Sequence, residues 1–192
     1  IGYGTRNPVC LAASDRGVVI GTTDNASGVV FAGLESDNTT GPFTIASLGG
    51  DVDNASATTT SGCDMAYASN LDSGDNRTFY MAYDNVTVLN VFKLIDNSSN
   101  AGGGAITIGA PITQALGAAA EGIHIGVNSD DAAVILVDNG TNAILYRMDN
   151  STATSLTLLY DYTSLSSGSG VALGVNGKKY TIVTGKAAKT NV

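Results

Sequence analysis

The sequence predicts an all-β fold of tandem four-stranded antiparallel units spread over 192 residues. Three observations predict it. Apolar and polar residues alternate at period two along most of the chain, and no stretch carries the 3.6-residue period of an amphipathic helix. Gly, Asn, Asp, Ser and Thr crowd the gaps between apolar runs, which is the chemistry of tight turns. The segment GIHIGVN at 122–128 also returns as GVALGVN at 170–176, so that Gly122, Gly126, Val127 and Asn128 match Gly170, Gly174, Val175 and Asn176.

Taken in order, the clearest strands are expected at 17–22, 28–34, 42–48, 64–69, 78–83, 86–95 and 105–112. The series continues at 122–128, 132–137, 143–148, 155–162, 170–175 and 180–183. QALGAAAEG, 114–122, has helix formers, but its glycines oppose a helix. Grouped in fours, the strands make units that begin near residues 8, 63, 121 and 169. Each unit opens on a strand of small residues: Ala12 and Ala13, then Ala66 and Ala68, then Gly126, then Gly174. An apolar second strand follows each time. Residues 8–192 are therefore read as one repeat domain, with 1–7 as a separate N-terminal segment.

Units of this kind resemble the blades of a β-propeller, about three and a half of them, although no WD, kelch or aspartate-box signature is present. The resemblance implies that the small opening strands line a crowded central axis. A β-sandwich is the alternative. Against it stand two sets of matching turns: Asn25-Ala-Ser, Asn85-Val-Thr and Asn139-Gly-Thr after second strands, and Asn38-Thr-Thr, Asn97-Ser-Ser and Asn150-Ser-Thr after third strands.

Composition narrows the partners. The net charge of −8 comes from scattered Asp, with Glu35 and Glu121 the sole glutamates. Without a basic patch, the attraction that drives nucleic-acid binding is missing, and insertion into a membrane is not expected either, since no apolar run nears the ~20 residues of a spanning helix. A start at Ile1 fits a mature form whose leader was removed, or a fragment of a longer chain.

The six turn motifs, together with Asn54-Ala-Ser and Asn76-Arg-Thr, are acceptor sites for N-glycans. Chance would supply roughly three such sites at these residue frequencies. Asn is also a turn residue in its own right, which inflates that figure, but not to eight. Cys10 and Cys63 precede the similar stretches CLAAS and CDMAYAS, and are expected to bond across neighbouring units. Glycans and a disulfide together point outside the cell, or to its surface.

Catalysis finds no constellation. His124, the single histidine, sits inside a strand where Ala172 takes the matching place, and a lone strand histidine is ordinarily structural. No serine-hydrolase elbow is present, because GSG at 168–170 lacks the spacing. GVNGKK lacks the hydroxyl and distant glycine of a phosphate loop, and AGGGA at 101–105 is a flexible turn. The chain is read as no enzyme, and no cofactor is expected beyond calcium. Asp51, Asp53, Asp72 and Asp75 are the turn carboxylates that would hold it, with Asp130 and Asp131 as a further pair.

What remains is a secreted, glycan-covered structural or adhesive protein. Its fourth unit contains two strands rather than four. The expected partner is another copy, whose segment 1–7 lies along the open edge and builds a head-to-tail polymer. A carbohydrate-binding or glycan-hydrolysing propeller is the rival reading.

Overall fold

The structure, a computed structural model, describes residues 9–14, 17–24, 28–35, 44–46, 63–68, 76–96, 106–149, 155–163 and 171–184. Among these residues every regular element is a β-strand, and all pairings are antiparallel.

The first sheet contains β1 (Val9–Ala13), β2 (Gly17–Asp24), β3 (Gly28–Glu35) and β4 (Thr44–Ala46), paired in chain order. The second contains β5 (Cys63–Ala68), β6 (Arg77–Asn85), β7 (Val88–Asp96), β8 (Ile106–Ile108) and β9 (Ile112–Ala115). Here the expected single strand over 105–112 is broken in two. Both pieces pair with β7, β8 opposite Leu94–Asp96 and β9 opposite Val88–Val91. Pro111 lies in the gap without an N–H to offer the ladder, which is why one strand cannot run through it. QALGAAAEG forms no helix: β9 takes its start, β10 begins at its last residue, and the residues between are irregular.

The third sheet, β10 (Gly122–Val127), β11 (Ala133–Asp138), β12 (Asn142–Met148) and β13 (Thr157–Thr163), again follows chain order. The fourth has two strands among the described residues, β14 (Val171–Asn176) and β15 (Lys179–Thr184).

Three apolar layers bind these sheets face to face. Cys10 and Ala12 meet Met65, Phe79, Met81 and Tyr83 between the first and second sheets. Tyr80, Ala82, Leu89 and Val91 meet Ile123, Ile125, Ile135 and Tyr146 between the second and third. Val134, Leu136, Ala143 and Leu145 then meet Val171, Leu173, Val175, Tyr180 and Ile182 of the fourth.

Period-two alternation therefore changes meaning in the middle of the stack. Along β6, Phe79, Met81 and Tyr83 face one layer while Tyr80 and Ala82 face the other. All of β11 is buried in the same two-sided way. Such strands read as continuous apolar runs because neither face meets water.

The opening strands pack beside one another in the order β1, β5, β10, β14. Leu11 on β1 and Val183 in the fourth sheet, at opposite ends of the stack, are both more than half exposed.

Candidate functional site

The junction of the third and fourth sheets combines close backbone packing with an uncovered apolar margin. β14 lies against β10 so closely that a Cβ on Gly126 would fall 2.6 Å from Val175 Cγ2. The small residue of this opening strand is thus a packing requirement. Two turns then lock together. Asn128 Oδ1 accepts from Asp130 N and Ala132 N, shaping the β10–β11 turn, while Asn128 Nδ2 donates to the Tyr180 hydroxyl. Ser129 N donates to Gly177 O at 3.1 Å, and Lys178 Nζ pairs with Asp130 Oδ1 at 3.0 Å.

Tyr180 and Ile182 of β15 pack into the same apolar layer as Ala143 and Leu145 of β12. The next strand outward, β13, places Tyr162 opposite Ala143 and Tyr160 opposite Leu145. The register slips there, so Leu158 stands opposite Tyr146 and Leu159 is the extra residue. Leu159 turns into the covered layer. Tyr160 is 60 % exposed, Leu158 56 % and Tyr162 36 %. The two tyrosine rings stack with centroids 4.9 Å apart and planes 17° from parallel. An apolar face buried under the fourth sheet hence continues one strand past its edge, and β15 pairs with β14 alone among the described residues.

Sequence reasoning did not single out this pair. The signal was present in LTLLYDYT, where Tyr160 and Tyr162 alternate with Asp161. A sugar-binding platform needs open ring faces. Here each tyrosine turns a face to the other.

Other expected sites fall as follows. Cys10 and Cys63 form a disulfide with Cα atoms 5.6 Å apart, joining the opening strands of the first two sheets. In the loop-entropy model a link across this separation constrains the unfolded chain by ~4 kcal/mol. Asn25, Asn38, Asn54, Asn97 and Asn150 lie outside the described residues, as do Asp51, Asp53, Asp72 and Asp75. Asp130 is held by Lys178, and no group of three or more metal-ligating side chains occurs among the described residues. His124 is half-buried within β10.

Three acceptor asparagines are described. Asn76 directly precedes β6, and Asn85 ends it at a two-residue hairpin. Val86 there adopts φ 53°, a left-handed conformation costly for a β-branched residue. Val86 O and Thr87 O accept from Ala120 N and Leu116 N, which hold the hairpin in place. Asn139 has a different character. It is 8 % exposed; its Nδ2, the atom a glycan would occupy, donates to Leu116 O, and its Oδ1 accepts from Thr141 N and Asn142 N. This is the self-capping turn role of asparagine, and Gly140 supports it with φ 77°.

Two tyrosines are held neutral. Burial raises Tyr80, with Asp131 and then Asp149 adding to the effect, while its hydroxyl donates to Asp131 O at 2.8 Å. Burial and then Asp161 raise Tyr146. Both are parts of the core between the second and third sheets.

No protein-family model matches the chain, and neither the curated proteins nor the solved structures compared with it gave a match.

Proposed function

We propose that this chain is a secreted, N-glycosylated structural protein whose copies assemble head to tail into an extracellular filament or surface array. One observation carries the reading: three sheets have four or five strands, whereas the described part of the fourth has two and leaves both β15 and an apolar face open. Unpaired strand edges recruit further strands, and natural proteins rarely leave one bare. A contact between unlike ends need not close, and repeated contacts of that kind make a fibre.

The stack itself suits this role. Each sheet buries its faces on its neighbours, so a further sheet added at either end would extend the same packing. We read the row of opening strands as the arc of a propeller, with the small residues of β10 and β14 toward its axis. The disulfide between Cys10 and Cys63 fits an oxidising location, and no helix among the described residues is long and apolar enough to cross a membrane. Glycans at exposed turns would coat the assembly and limit sideways association.

Electron microscopy of untagged protein from its natural source tests the reading. Regular filaments or a lattice are expected. Discrete particles that persist at high concentration would overturn it.

A further inference from the structure

We infer that the edge of β15 left unpaired among the described residues and the Tyr160–Tyr162 face are two halves of one acceptor site, whose occupant is residues 1–7 of a second copy of this chain. The inference rests on the assembly reading and names the surface that would perform it.

The geometry defines what the occupant must be. Neighbouring strands lie about 4.8 Å apart. A strand paired to β15 would therefore sit one step outward, as β13 sits one step outward from β12. Because Tyr180 and Ile182 of β15 share one apolar layer with Ala143 and Leu145, the added strand would extend that layer toward their partners Tyr162 and Tyr160. It must supply main-chain groups to β15 on one edge. On the face turned toward β13 it must carry apolar side chains at alternate positions. A soluble sugar supplies neither the edge nor the alternation, and the ring stack offers it no open cleft between the tyrosines.

Residues 1–7, IGYGTRN, have that pattern. Ile1, Tyr3 and Thr5 fall on one face of an extended segment, and Gly2, Gly4 and Arg6 on the other. Ile1 and Tyr3 would meet the exposed tyrosines, while the glycines would add no bulk on the far side. In the sequence only Pro8 separates the segment from β1, the opening strand at the opposite end of the stack from β15. Donor and acceptor thus lie at unlike ends of each copy, the arrangement that propagates.

The test combines two variants of the 192-residue chain. In the first, p-benzoylphenylalanine replaces Tyr160 and the assembled protein is irradiated. A cross-link from position 160 to the peptide 1–6, in a species of twice the chain mass, is expected. The same cross-link within one chain mass, or a cross-link to another segment, would overturn the inference. In the second, Tyr160→Ser and Tyr162→Ser are combined. Since burial of both rings would be lost, the concentration needed for assembly should rise roughly tenfold or more. Circular dichroism and an intact Cys10–Cys63 link should stay unchanged. If this variant assembled at the same concentration as the parent, the acceptor site would be wrong while the filament reading stood. If the parent itself stayed monomeric and gave no cross-link, both would fall.

Discussion

Asn128 Nδ2 donates to the Tyr180 hydroxyl at 3.2 Å, so a residue that shapes one turn also holds the neighbouring hairpin. Replacing it with alanine leaves Asp130 N and the buried Ala132 N without their acceptor. Orphaned donors of this kind cost about 1–3 kcal/mol. Tyr180→Phe removes only the bond between sheets and should cost less than Asn128→Ala. Urea midpoints of the two variants decide it. Equal losses would mean that the turn bonds carry nothing.

Gly126 offers a second handle on the same junction. Gly126→Ala would bring a methyl group to 2.6 Å from Val175 Cγ2 and 3.2 Å from its Cβ, so Val175 or the strand that carries it would have to shift. Overpacking of this sort costs about 1–3 kcal/mol. Val175→Ala should then rescue part of the loss, because the second change removes the atom that the first one strikes. A double-mutant cycle reads the coupling directly. Strict additivity would show that the sheets do not meet as described.

Strand positions were largely legible because turn residues bracket apolar runs; Lys179–Thr184, for instance, extends the expected 180–183 by one residue at each end. What stayed hidden depended on neighbours. Pro111 marked a break, but its apolar flanks, Ile108 and Ile112, masked it. The sequence of β11 does not say that Val134 and Ile135 serve different layers. Tyr160 reads as an ordinary strand residue, and only the packing of the sheets shows that it is left exposed. Asn139 and Asn85 share one sequence motif, and each stands at the end of the second strand of its sheet. Their difference is a hydrogen bond to Leu116 O, a residue far away in sequence.

That difference yields a prediction about glycans. Asn85 stands half-buried at the tip of a hairpin, whereas Asn139 is 8 % exposed and donates through its own Nδ2. Glycopeptide mapping of native protein should find sugar on Asn85 and none on Asn139. In protein made without glycans, Asn139→Gln should still cost about 1–2 kcal/mol through its lost turn bonds, and Thr141→Ala should cost much less. Occupancy at Asn139 would mean that this turn is open in the native protein.

Tyr80 should set part of the alkaline limit of stability. Its side chain is fully buried, and its hydroxyl donates to Asp131 O across the second and third sheets. Burial, first, and the nearby Asp131 and Asp149 charges raise its pKa above the ordinary tyrosine value. The sign follows. Below about pH 10 the phenol is neutral in both folded and unfolded chains, and the hydrogen bond contributes in full. As pH rises past about 10, the unfolded chain loses this proton before the folded one does, so unfolding is favoured. Tyr80→Phe should therefore cost about 1 kcal/mol near neutrality. That difference should shrink steadily as urea midpoints are taken from about pH 8 to about pH 11, because phenylalanine has no proton to lose. Tyr146 is raised in the same direction and remains in both proteins, so it cancels from the comparison. A gap between parent and variant that held constant over that range would mean Tyr80 is not buried against Asp131 as described.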